Sequence, residues 1–411
     1  MSALHTHDPG WEDVRGVTAA QPARVYEDHA LLIATDFEGG NGHAVERLSE
    51  DRFTIHMEPD PGNHRFKGVG YYACVGLRNK SRTARRLRLQ LTAHIHRGES
   101  WLGQGHMVLR QAGRWHHLDP AAIGRAGDAL ELTLDLPAGG DAESDTLFVS
   151  NFHWWPFSER LRYLERLARR AGSLARVKVI GKSHQGRPIH AVEIGRDDAG
   201  APTIVNAQTT QPSEAMASHA CRALIDWLVS NEAAAARIRD RFRVCVVPTT
   251  NPDGTVLGYC VADAVGRFPY FEADLAAQGD PAASPENLVA WRYLEGLRPW
   301  LFWEWHSNNW SRRPGHMLLR YRSELAGDAN TRTLWDAVEK RLLRLPNTHH
   351  GNFTSHDEGQ YQPSIGFEAA VRLGAVACMI KQHEKYSLAE SRRHAVACLQ
   401  AAAAAYELQR T

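Results

Sequence analysis

The chain has 411 residues, 43% of them hydrophobic and 23% charged, a globular balance at a length suited to two or three domains. Its 48 basic and 47 acidic side chains leave a formal net charge of +1. That balance argues against a nucleic acid or an anionic membrane as partner, since both call for a broad basic footprint. No apolar run approaches the ~20 residues of a membrane helix, and the N-terminus lacks the basic-then-apolar pattern of a signal peptide. Six scattered cysteines without a CxxC pair read as reduced, buried apolar residues, and the expected compartment is the cytoplasm.

The segment from about 25 to 150 reads as β structure. Arg52–Met57, Arg86–Thr92 and Leu130–Leu136 alternate polar and apolar residues, so one face is buried and the other wet. An antiparallel β-sandwich is expected over residues 1–152. From Phe157 to Arg170 the apolar positions take helical spacing. Short apolar strands then alternate with helices: Val177–Ile180, His190–Ile194, Thr203–Ala207, Val244–Val247, Leu301–Trp305, Met317–Arg320 and Ala375–Ile380. This pattern predicts an α/β domain over 153–411, a mixed, mostly parallel sheet covered by helices.

In such sheets ligands bind beyond the carboxyl ends of the strands. Three polar segments lie there: Ala207–Glu214, Pro248–Gly254 and Trp303–Asn308. A carboxylate and an imidazole converging at that edge could bind zinc at about 2.0–2.2 Å and lower the pKa of a bound water.

The motifs sharpen this picture. Asn251-Pro252-Asp253-Gly254 after an apolar strand resembles the NPDG signature of zinc metallocarboxypeptidases, and Ile180–Ile189 resembles that family's IGxSxxGRPI hairpin. Thr35–Asn41 and His153–Ser158 resemble the opening of the β domain and the junction segment of the cytosolic carboxypeptidase branch. The resemblance implies a zinc-dependent hydrolase of peptide or amide bonds with one zinc ion and a peptide or protein C-terminus as substrate.

Carried over by motif, Gln211-Pro212-Ser213-Glu214 stands where the branch has HPGE, so Glu214 matches the glutamate ligand and Gln211 replaces a histidine. His306 matches the second histidine ligand, with Glu304 in place of an aspartate two residues earlier. Val261, Tyr270 and Phe271 stand where the family grips the substrate's carboxylate, leaving Arg267 nearby, with Asn251 and Asp253 as the loop wall. Lys381 falls on the position of the general base, and Glu384 follows three residues later. A register change would bring Glu384 or His383 into reach, and His383 or His219 is a candidate substitute ligand. Trp310 is a candidate pocket wall, Arg312-Arg313 a candidate anion grip, and His349, His350 and His356 lie in a candidate lid.

Two functional classes stay open on these residues. One is a metallocarboxypeptidase-type hydrolase using metal-activated water. The other is a pseudoenzyme of the same fold that binds a peptide or protein without cleaving it.

Overall fold

The computed structural model describes residues 25–61, 72–92, 106–127, 129–140, 142–308, 315–320, 329–350 and 363–409. Trp310, Arg312, Arg313 and His356 lie outside them. The chain divides into two compact units, one comprising Met1–Arg160 with Asp253–Arg267, the other Leu161–Pro252 with Phe268–Thr411.

The first unit carries two sheets. Six antiparallel strands run in the spatial order Val25–Glu27, Leu31–Ala34, Cys74–Asn79, Leu147–Ser150, Val108–Gln111, Arg114–His117. Five more run in the order Ala44–Arg47, Arg52–His56, Arg85–Thr92, Ala129–Leu136, Ile123–Ala126. Both contribute to one apolar cluster, with Ile33, Val75 and Leu77 from the first and Leu87, Leu89, Leu132 and Leu134 from the second. Period-two patterning decides which residues enter it: Leu87, Leu89 and Leu91 are buried, while Arg86 and Arg88, which alternate with them, are exposed. The expectation of purely antiparallel pairing needs one correction, because Arg52–His56 pairs parallel with Arg85–Thr92. The chain between those strands passes through Cys74–Asn79 of the other sheet, and such a long crossover is what a parallel pair requires.

The NPDG-containing segment continues into this unit. The Asp60 carboxylate accepts hydrogen bonds from the backbone N–H groups of Cys260, Val261 and Ala262 at 2.6, 2.7 and 2.8 Å. Asn41 donates to the Gly258 carbonyl at 2.9 Å, and Gly39 N–H to that of Val256 at 2.8 Å. Gly258 has φ +72° and lies so close to the Gly40 carbonyl that a β-carbon would fall 2.2 Å from its oxygen. Only glycine combines that conformation with that approach. The Thr35–Asn41 motif is thus a clamp on residues 256–262.

The second unit is built on an eight-stranded sheet. Its order is Ala175–Lys182, Pro188–Gly195, Arg243–Val247, Thr203–Gln208, Leu301–Asn308, Val376–His383, His316–Arg320, Thr348–His350. As expected, the sheet is mixed and mostly parallel, with four parallel and three antiparallel strand pairs among the described residues. It is parallel through the centre and at its last pair, and antiparallel at the first hairpin, where Pro188–Gly195 meets Arg243–Val247, and where His316–Arg320 joins. The tight Gly186 turn makes the first hairpin antiparallel. Thr203–Gln208 and Val376–His383 are buried at every residue, as central strands covered on both faces must be. Helices Ala215–Leu228, Pro285–Leu297, Ile365–Leu373 and Leu388–Leu408 pack against the sheet or each other. Gly181 lets helix Pro285–Leu297 come close, since a β-carbon there would lie 2.3 Å from a Val289 methyl. Among the described residues no helix is long and apolar enough to cross a membrane.

Asp60 supplies the first prediction. Asp60→Ala leaves three buried N–H groups unpaired, at about 1–3 kcal/mol each before relaxation. Thermal unfolding is expected to shift down by ten degrees or so, on a scale of about 2–4 °C per kcal/mol. A melting temperature within two degrees of wild type would contradict the clamp.

Candidate functional site

The site lies at the carboxyl ends of three adjacent parallel strands, Thr203–Gln208, Leu301–Asn308 and Val376–His383. Loop 208–211 is fixed from two sides. Thr209 N–H donates to the Trp305 carbonyl at 2.9 Å, and the Thr250 hydroxyl donates to the carbonyls of Gln208 and Thr209 at 3.1 and 2.8 Å. Asn251 donates its amide to the Thr210 carbonyl at 3.0 Å. These bonds deliver Glu214, the N-cap residue of helix Ala215–Leu228, to the strand ends.

There Glu214 is held by three groups. Its Oε2 accepts the Ser307 backbone N–H at 2.7 Å and lies 2.8 Å from His306 Nδ1. Its Oε1 lies 4.0 Å from the Lys381 ammonium. The His306 Nδ1–H does not line up with the carboxylate for a hydrogen bond, so charge governs that contact. On the other side of the ring, Nε2 lies 3.7 Å from Glu304, whose two oxygens are fully buried without a hydrogen bond. Tyr270 closes the ring's flank edge-to-face at 5.5 Å between centroids.

All of these groups are buried. Burial would push the His306 pKa down, but the carboxylates of Glu214 and Glu304 outweigh it and hold it above 6.5. Burial would push Glu214 up, and His306, Lys381 and the Ser307 N–H together bring it below the usual carboxylate range. The site is therefore a buried array of alternating charge. Below the Glu304 side of the sheet lies a cavity of about 20 Å³ walled by Gln208, Thr210, Thr250, Tyr293, Glu304 and Ile365. That volume admits about one water molecule.

The strands account for what the sequence did not reveal. The expected strand Leu301–Trp305 continues to Asn308, and the one expected to end at Ile380 continues to His383. His306 is therefore not a loop residue: it is in register with Lys381, and paired residues of neighbouring strands present their side chains on the same face. Glu304 joins them by alternation, while Trp303 and Trp305 enter the core on the opposite face. Polar residues running on past the apolar run of each strand were the available signal.

The other predicted residues fall as follows. Gln211 is half-buried in the turn before the helix, its carbonyl accepting Glu214 N–H at 3.2 Å. Glu384 is buried one residue past the strand end, so Lys381 is the residue that meets Glu214. Asp253 and Arg267 belong to the first compact unit, Asp253 buried in the first turn of the short helix Pro252–Leu257. His219 is buried on helix Ala215–Leu228. His383 lies in a row of rings: it meets Tyr386 edge-on, Tyr386 stacks on His316 at 5.0 Å, and His316 stacks on His394 at 3.7 Å.

Fit to zinc can be tested on the donors themselves. Glu214 and His306 are competent ligands, Gln211 offers a neutral amide, and a fixed ammonium stands where a dication would need negative charge. Among the described residues no group of three His, Cys, Asp or Glu side chains could hold a metal ion. The residues present do not fit a zinc centre.

Comparison with known proteins defines the class. Residues 161–270 match the family model described as zinc carboxypeptidase. A metallo-carboxypeptidase from Burkholderia cenocepacia shares the fold with a TM-score of 0.74 at 15% identity, over 92% of this chain and 99% of that one. The metallo-carboxypeptidase from Pseudomonas aeruginosa, solved in complex with (2-guanidinoethylmercapto)succinic acid, gives 0.75 at 18%, over 92% and 99%. Over residues 161–270 the chain is similar to the zinc carboxypeptidase family, and it shares the fold of these metallo-carboxypeptidases. In sequence it is similar to the cytosolic branch: human Cytosolic carboxypeptidase 6 is 24% identical over 238 residues, 56% of this chain and 46% of the relative. The chain thus spans about half the length of that relative.

Two outcomes follow from the charges. Glu214→Ala leaves His306 and Lys381 without their shared carboxylate, and breaking a buried pair in this way costs about 3–5 kcal/mol. Urea denaturation is expected to show a loss of that order, and a loss below 1 kcal/mol would contradict the array. The second concerns the ring stack: burial pushes the His394 pKa down to about 4, and burial together with His394, His383 and His349 pushes His316 down to about 2. A depressed histidine contributes stability that is complete above its unfolded value of 6.5 and is lost as pH falls through the folded value. The urea midpoint is expected to fall from pH 6.5 towards pH 4, and His394→Gln to flatten that slope. An unchanged slope in His394→Gln would remove the stack from the acid response.

Proposed function

We propose that this chain is a non-hydrolysing protein of carboxypeptidase fold, a binding module that takes a peptide or protein C-terminus at the strand ends of its α/β domain. The observation that carries this reading is the buried placement of His306 and Lys381 beside Glu214, which sets two cationic side chains around the carboxylate. Gln211 in a ligand position and the replacement of carboxylate-gripping residues by Val261, Tyr270 and Phe271 support it. The retained scaffold supports peptide recognition, with Asn251 as a candidate contact, while Asp253 and Arg267, read as candidates in the sequence, belong to the first compact unit. The names of the relatives support a cytoplasmic setting, and the N-terminal sheets would form a smaller sandwich domain.

The second reading is a zinc-dependent hydrolase with Gln211, Glu214 and His306 around one ion and Lys381 or Glu384 at the base position. The retention of Glu214 and His306 at their motif positions favours it.

One experiment separates the two. Protein purified without chelator is analysed for zinc by plasma mass spectrometry and mixed with a panel of peptides bearing free C-termini. The binding reading predicts zinc well below one equivalent, saturable peptide binding by calorimetry that survives EDTA, and no released amino acid. Release of C-terminal residues with one equivalent of zinc, both lost in His306→Ala, would establish the hydrolase instead.

A further inference from the structure

We infer that the Lys381 ammonium is the resident counter-cation of this site, standing in the electrostatic place of a divalent ion and excluding one for as long as it is there. The inference deepens the binding-module reading and rests on it for the identity of the site.

Placement comes first. Lys381 lies inside the strand Val376–His383, in register with His306 of the neighbouring strand, so its side chain is directed to the face that carries His306. It is 6% exposed, and a lysine is almost never buried to that degree without an anion. An anion beside it is Glu214, whose Oε1 lies 4.0 Å from Nζ.

Occupancy of the carboxylate comes second. Oε2 is taken by the Ser307 N–H and the His306 ring, and Oε1 faces the ammonium. Both oxygens thus face a positively charged or hydrogen-bonding group. The two buried carboxylates, Glu214 and Glu304, are set against the ammonium on one strand and the imidazole on the next. A dication added to this array would sit a few ångströms from a fixed positive charge in a medium where such repulsion is weakly screened. Withdrawing the lysine would in turn strand a buried charge.

Replacements at positions 211 and 381 then have one physical logic. A histidine-to-glutamine change alone would weaken a metal site. A lysine beside the remaining carboxylate makes the vacated charge balance permanent. Lys381 is on this account a positioning residue that fixes Glu214 and, through it, loop 208–214.

The test compares Gln211→His with Gln211→His/Lys381→Gln, both with a third donor, differing only in the ammonium. Zinc titration by calorimetry is expected to give at least tenfold tighter binding in the double variant, lost when His306→Ala is added. Equal affinity, whether both bind or neither does, overturns the inference. A thermodynamic cycle guards against misfolding of the double variant: Lys381→Met is expected to lower the urea midpoint in the Glu214 background and to leave it within error in the Glu214→Gln background. Equal losses in both backgrounds also overturn it. Peptide hydrolysis by wild type would remove the binding-module reading, an outcome distinct from either of these.

Discussion

The carboxylate of Glu214 is the constraint on which the site depends. It belongs to the N-cap residue of a helix but turns to the ends of two strands, and it is buried, so it must be matched by positive charge and hydrogen-bond donors within a few ångströms. The chain supplies a backbone N–H from Ser307, an imidazole from His306 and an ammonium from Lys381. Loop 208–211, pinned by Thr250 and Asn251, keeps that carboxylate in place. His306 and Lys381, candidates for the site in the sequence, stand around that one buried carboxylate.

On the proposed reading, a metallocarboxypeptidase fold persists here with a donor set different from the one its motifs imply. The parallel central strands generate a polar edge, and that edge needs its charges balanced whatever does the balancing. A metal ion is one solution and a lysine on the neighbouring strand is another. The NPDG loop shows a similar division. Asn251 ties loop 208–211, while Asp253 and the residues after it belong to the first compact unit, clamped by Asp60 and Asn41.

Much of the fold was legible because burial imposes periodicity. The helix expected over Phe157–Arg170 has those bounds, and the central strands fell where continuous apolar runs predicted them. Strand ends were less legible, since they carry polar residues whose burial comes from packing rather than from their own hydropathy. His306 and Lys381 are such residues, and their adjacency depends on the register of strands some 75 positions apart in the chain. The parallel pair Arg52–His56 with Arg85–Thr92 escaped for the same reason: orientation is set by the path of the intervening chain. Glu304 could be placed opposite the tryptophans by alternation, but its lack of a hydrogen-bond partner is a property of the packed structure.

The most direct test of a metal-free, charge-closed site is a crystal structure of the wild-type protein grown in excess zinc, with data collected at the zinc absorption edge. The account predicts Lys381 Nζ beside Glu214 and no anomalous peak between Glu214 and His306. A zinc peak bridging those two side chains, with Lys381 turned away, would contradict it.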